Sequence, residues 1–356
     1  MTRQSRAFSE IRLRELTVPN RVWLSPMCQY SADAHGAPTD WHLVHYGARA
    51  AGGAGLVMVE CTAVAPDMRT TAGDLGLWSE RQVDGHRRLA AAIARLGSVP
   101  AIQLGAAGRK SSHGVPWDNA GTRQAIGPDQ GGWQPLAPSP LPFAGLAVPS
   151  AMSIADGDRV LGDLEHAARN ADRAGYAVLE LHGANGYLLH QFLSPLTNHR
   201  TDAWGGDLEG RMRFPLAMVA ALRAGWPQHK PLLVRLPAED LIEGGLTTHE
   251  AARFAARLGR AGVDMIDAGS GALRPDARRI DQPLHNARYG PLFRDAGTLA
   301  AASGGIHAAE QLDEAVPELV DAAFVGRAML RDPYWALRAR DAEPRVSWPR
   351  QYQRAF

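Results

Sequence analysis

Three polar side chains stand together in Leu181-His182-Gly183-Ala184-Asn185-Gly186-Tyr187. His182 and Asn185 are donors three positions apart, so both can converge on one carbonyl oxygen, while Tyr187 can present a phenol to the other side of the same molecule. Donors at a carbonyl oxygen stabilise developing enolate charge, and a phenol supplies a proton without being strongly acidic. A single core histidine is more often structural. Three polar groups at one point of the chain weigh against that reading here.

Arg235 interrupts the apolar run Leu232-Leu233-Val234-Arg235-Leu236. A guanidinium keeps its proton, so an inward-facing one requires an anionic partner or strong acceptors, met either by a structural ion pair or by an anionic ligand. Gln103, donor and acceptor at once, ends another apolar run. Ser303-Gly304-Gly305 and Val325-Gly326-Arg327 pair glycines with a bidentate donor. Glycine lets backbone N–H groups approach an anion, which makes these two points a candidate phosphate site. Simple turns beside a surface charge are the plainer alternative.

Each of these residues follows a short apolar run. The sequence repeats an amphipathic helix, a small-residue stop, an apolar run and a polar or glycine-rich loop, as in Ala51 to Glu60, Arg173 to His182 and Arg260 to Asp267. Such runs, alternating with helices, read as buried parallel strands. Eight are expected, near 22–27, 55–60, 99–104, 177–182, 231–236, 263–268, 298–303 and 321–326. Ser79 with Gln82 and Thr247 with Glu250 form capping boxes that start two of the helices. Eight βα units predict an α/β fold, a (β/α)₈ TIM barrel whose site lies at the C-terminal strand ends. Residues 105–153, long and rich in Gly, Pro and Trp, are expected to cap the mouth as a lid after strand three. In 271–297 the run Tyr289-Gly290-Pro291 is expected to interrupt the sixth helix. No linker divides residues 1–356, so one domain is expected.

The chain has 356 residues, 45% of them hydrophobic and 21% charged, as in ordinary globular proteins. A net charge of +1 draws it to neither nucleic acid nor an anionic membrane. No run approaches the roughly 18 apolar residues of a membrane span, and no secretory h-region follows Met1, so a cytoplasmic enzyme is the default expectation. Cys28 and Cys61 are the only cysteines, too few for a disulfide framework or an iron–sulfur cluster. No metal site is expected.

The sequence resembles the old yellow enzymes over nearly its whole length, most closely the thermophilic-like subgroup that includes bacterial xenobiotic reductases. The motifs are Ser25-Pro26-Met27-Cys28-Gln29-Tyr30, Gly108-Arg109-Lys110, His182 to Tyr187, and Leu193 to Gly206 with Asn198, Arg200, Asp202 and Gly205-Gly206. The resemblance implies non-covalent FMN, reduced by NADPH or NADH and oxidised by a small activated alkene. His182 and Asn185 would hold the substrate's carbonyl oxygen, hydride would pass from flavin N5 to the β-carbon, and Tyr187 would protonate the α-carbon. Arg235 and Gln103 would contact the flavin ring, whose reduced form is negative at N1. Ser25, Pro26, Met27 and Cys28 would line one face of it, with Cys61 nearby. Gly304, Gly305, Gly326 and Arg327 would hold the phosphate. Cys28 would also touch substrate, and Tyr30 would line its pocket. The tail Gln351-Tyr352-Gln353-Arg354-Ala355, within 341–356, resembles one whose arginine enters the neighbouring subunit's site. Arg354 would therefore bind substrate in a homodimer or higher oligomer.

Some positions depart from the pattern. Asn185 stands where relatives often carry a second histidine, Cys61 where alanine is usual, and Ala106 where a histidine is common. Flavin barrels with an iron–sulfur cluster need more cysteines than two. A tRNA-modifying flavin barrel would need a basic surface. A Schiff-base aldolase needs a strand lysine, and Lys110 and Lys230 lie outside the expected strands. A non-catalytic flavin-binding barrel would have no use for a proton donor at Tyr187.

Overall fold

In the computed structural model, which describes residues 5–118, 123–340 and 348–355 (the last three by backbone alone), all eight expected strands form. They are β1 Val22–Leu24, β2 Leu56–Ala63, β3 Val99–Gly105, β4 Val178–His182, β5 Leu232–Pro237, β6 Met265–Gly269, β7 Leu299–Ser303 and β8 Ala322–Val325. Neighbours in sequence pair in parallel, and β8 returns to β1, closing the barrel. The observed β1 is shorter than expected, because Ser25-Pro26 leaves the ladder to enter the mouth.

The helices are α1 Asp40–Ala51, α2 Glu80–Arg95, α3 Ile154–Arg173, α4 Leu188–Leu193, α5 Leu208–Gly225, α6 Thr248–Arg260, α7 Gly290–Asp295, α8 Ala309–Ala315, α9 Arg327–Arg331 and α10 Trp335–Arg340. Both expected capping boxes form, at Ser79 and Thr247, and Ser153 with Asp156 makes a further one. The small-residue stops have a shared cause: Gly53, Gly97, Gly175, Gly262 and Gly297 adopt φ of 90, 92, 88, 91 and 93° just before β2, β3, β4, β6 and β7. Glycine reaches that left-handed region without a Cβ penalty and so ends each helix.

Alternation along the strands divides the barrel interior into two levels. Trp23, Met58, Ala101, Val178, Leu233, Met265 and Phe324 form one apolar cluster, with Trp23 and Phe324 meeting edge to face at 5.3 Å. A hairpin of Ile11–Leu13 and Leu16–Val18 contributes Ile11, Leu13 and Val18 to the same cluster. Two positions further along the strands the inward residues are Gln103, Glu180, Arg235, Asp267 and Ser303. The larger core lies outside the barrel wall, between strands and helices.

One expectation is corrected, and one element is new. Tyr289-Gly290-Pro291 does not interrupt a helix: Ala287–Tyr289 is a 3₁₀ turn and α7 begins at Gly290. Pro291 sits in the first turn, where its missing N–H has no partner to lose. The hairpin, its strands three residues each, was not anticipated at all. The 105–153 segment is mostly irregular, with two-residue parallel strands at Leu136–Ala137 and Ser150–Ala151. Its Trp117 packs edge-on against Tyr30 at 5.8 Å.

Candidate active site

The floor of the mouth is the upper polar level. Gln103 Nε2 donates to Glu180 Oε1 at 2.6 Å, and Arg235 Nη2 donates to Ser303 Oγ at 2.8 Å. Arg235 Nε lies 3.3 Å from Asp267 Oδ2, an ion-pair distance without hydrogen-bond geometry. The structural ion pair considered for Arg235 is therefore realised, but it does not use up the guanidinium. Among the described residues, Arg235 Nε, Glu180 Oε2 and both Asp267 oxygens have no hydrogen-bond partner. Burial, then the neighbouring Asp267 charge, pushes the Glu180 carboxyl up. Burial also raises Asp267, and Arg235 opposes it. Buried carboxylates this sparsely bonded are costly, so the layer retains polar capacity for a ligand.

His182 ends β4 and is buried, while Tyr187 is the residue before α4 and is half-buried. Their rings meet edge to face at 4.6 Å. Burial, with Arg235 adding to it, holds the imidazole well below its ordinary value, so it is neutral. The Ala184 N–H points at His182 Nδ1 at 3.5 Å, which assigns the proton to Nε2 and makes that atom the donor. Burial pushes the Tyr187 phenol well above 10, which keeps its proton in place.

Asn185 has φ 54°, a left-handed conformation that asparagine tolerates better than most residues. A set of side chains fixes it. Lys110 Nζ donates to Asn185 O at 2.6 Å and to Ala272 O at 2.7 Å, tying the loop after β4 to the loop after β6. Gln191 Nε2 donates to Gly186 O at 2.7 Å, and the Gly186 N–H donates to His190 Nδ1 at 2.9 Å. His190 Nε2 in turn meets Asp240 Oδ1 at 2.5 Å, and Ser194 Oγ donates to Asp240 Oδ2 at 2.6 Å. None of Glu180, Asp267, His190, Gln191 or Asp240 was singled out from the sequence. Glu180 could have been, since it shares a strand face with His182. Burial draws Lys110 down to about 7.

Cys28, Cys61 and Tyr187 line one small cavity together with Thr70 and Asp74. Burial raises the Cys28 thiol, with Asp74 and Glu60 adding to it. Burial likewise raises the phenol of Tyr30, which itself has φ 50°. Ser25 N–H donates to Val325 O at 3.0 Å, and a Cβ placed on Gly326 would lie 3.4 Å from Met27 Sδ, so Ser25, Pro26 and Met27 run beside the end of β8. Gly304 and Gly305 differ from expectation in one respect. A Cβ on Gly304 would fall 2.6 Å from His285 Cε1, and one on Gly305 2.8 Å from Gln282 O. Their first visible use is close approach of the 282–285 loop. Arg327 is exposed and has no carboxylate partner among the described residues. The Arg354 side chain lies outside the described residues.

Residues 6–345 match the model of the NADH:flavin oxidoreductase / NADH oxidase family. The chain belongs to this family, the old yellow enzymes. It is 37% identical over 353 residues to an NADPH dehydrogenase of Geobacillus sp. (strain WCH70), covering 98% of each chain. Its fold is similar to that of morphinone reductase, with TM-score 0.76, 26% identity and coverage of 95% and 90%. An old yellow enzyme homologue from Zymomonas mobilis gives TM-score 0.78 and 26% identity, with coverage of 98% and 96%. The family works with FMN and a nicotinamide nucleotide as reductant. The residues present fit such a flavin: Arg235 and Gln103 offer donors at the mouth, and glycine-bearing ends on adjacent strands stand beside Arg327, which is exposed.

Proposed function

We propose that this old yellow enzyme reduces the carbon–carbon double bond of small activated alkenes such as enones, enals and maleimides. When bound, FMN would supply the hydride, with NADPH or NADH as its source. His182 Nε2–H and the Asn185 amide hold the substrate's carbonyl oxygen, where negative charge develops. Tyr187 delivers a proton to the α-carbon. Arg235 and Gln103 serve the flavin ring, Ser25 to Cys28 and Cys61 its surroundings, and Gly304, Gly305, Gly326 and Arg327 its phosphate. Cys28 and Tyr30 shape the substrate pocket under the 105–153 lid. Residues 1–356 act as one FMN-binding barrel, and the 341–356 tail carries the partner subunit's Arg354 to the site of a homodimer or larger assembly.

The observation that supports this reading most is the edge contact of 4.6 Å between His182 and Tyr187. A neutral donor and a protonated phenol thus stand side by side, and Tyr187 lines a small cavity with Cys28 and Cys61. Anaerobic visible spectra test it. The flavin band is expected to bleach with NADPH and to return on adding 2-cyclohexenone. Return with oxygen alone would remove the alkene as substrate while leaving the flavin chemistry intact.

A further inference from the structure

Beside the mouth lies a cleft of about 720 Å³ that small alkenes do not need. Its wall carries Lys110, Arg123, Arg274, Arg278, Arg279 and Arg327 against the single carboxylate of Asp281. The whole chain has a formal net charge of only +1, so this is a local concentration of positive charge. Several of these cations are already committed. Lys110 holds the carbonyls of Asn185 and Ala272, Arg274 pairs with Asp276 at 2.7 Å, and Arg327 stands at the flavin-phosphate end of β8. Arg123 lies over the Phe143 ring at 5.8 Å without a carboxylate. Arg278 and Arg279 are exposed and meet no carboxylate among the described residues.

Among the described residues, three guanidiniums therefore share the cleft with only the Asp281 carboxylate to offset them, and the flavin phosphate is provided for at one edge of it, by Arg327. Unpaired arginines sharing a concave wall suit a phosphomonoester, which accepts paired N–H donors from each fork. The cleft also communicates with the reacting centre, since Lys110 lines it and sits 5.7 Å from the Tyr187 ring. Its ligand must then place one end at the mouth and a phosphate some distance away. Among the molecules the family's reaction requires, the flavin and the 2′-phosphorylated nicotinamide nucleotide each carry a terminal phosphomonoester; the flavin's is provided for at Arg327 and the glycines after β7 and β8, which leaves the 2′-phosphate that NADPH has and NADH lacks.

We propose that Arg278 and Arg279, with Arg123 from the lid, bind the 2′-phosphate of NADPH and so select NADPH over NADH. The inference rests on the family's nicotinamide reductant and not on the identity of the alkene. The test follows flavin bleaching in the FMN-loaded enzyme by anaerobic stopped flow, with no alkene present. For R278A/R279A the Kd of NADPH is expected to rise about ten-fold or more, with the Kd of NADH within two-fold and FMN content unchanged. Equal weakening of both nucleotides would overturn the proposal, because it would place the arginines at the shared pyrophosphate or in the fold. Loss of FMN would assign them to the flavin phosphate instead, and an unchanged NADPH Kd would remove them from binding. On the unaltered enzyme, adenosine 2′-monophosphate is expected to compete with NADPH better than adenosine 5′-monophosphate; equal competition would also overturn it.

Discussion

Replacing His182 by alanine isolates the oxygen-holding role. The imidazole is neutral and carries its proton on Nε2, so the substitution removes one donor and no charge. A donor aimed at developing oxyanion charge is typically worth about 3 kcal/mol, or roughly 150-fold in rate. A bound phenolate, whose oxygen imitates that charge, loses a hydrogen bond of about 1.5–3 kcal/mol, so its affinity should fall roughly 10- to 150-fold. The ring contact with Tyr187 at 4.6 Å is lost too, which adds a stability loss of about 1 kcal/mol. The assay is titration of the flavin band with a para-substituted phenol, run beside alkene turnover. Because stability falls only slightly, the variant should keep its FMN, and His182→Gln should recover part of the phenol affinity through its amide. A phenol Kd within two-fold of the unaltered enzyme, in a variant that holds FMN, would refute the reasoning.

Tyr187→Phe is expected to keep flavin reduction by NADPH and to slow alkene reduction by roughly 10²–10⁴-fold, the range of a positioned proton donor. Since burial holds the phenol well above 10, alkene turnover should show no loss from Tyr187 ionisation between pH 7 and 9; such a loss, absent in the Phe variant, would contradict the site geometry. Lys110→Met removes the tether between Asn185 O and Ala272 O, so the KM for alkene should rise several-fold with FMN retained. Burial draws Lys110 down to about 7, so it is charged below that pH and neutral above it. An inflection near 7 in the pH profile of alkene reduction should accordingly vanish in Lys110→Met, and its persistence would assign the titration to another group.

The barrel was legible because every strand is an apolar run, and five of the eight also follow a glycine that stops the preceding helix. The residues at the strand ends, His182, Gln103, Arg235 and the glycines, were found from that rule alone. What supports them was not. Lys110 reaches Asn185 O across 75 residues of sequence, and His190 reaches Asp240 across 50. Contacts between separate loops leave no local period to read. The hairpin at 11–18 escaped because three-residue strands are too short to show alternation. Tyr289-Gly290-Pro291 was misread because the same proline that breaks a helix interior also opens a first turn.

The two levels inside the barrel have a consequence for how this protein can change. The lower level, from Trp23 to Phe324, is dry and interlocked, so nearly any replacement there costs stability and leaves the chemistry alone. The upper level runs the other way. Glu180 and Asp267 are buried, and Arg235 partly so, with unsatisfied atoms, a combination that apolar residues of similar size often improve upon. Laboratory selection for heat tolerance alone would drift toward losing that charge, and on the proposed reading the flavin with it, whereas selection for new substrates can work on the loops after β4 and β6 with the lower level as ballast.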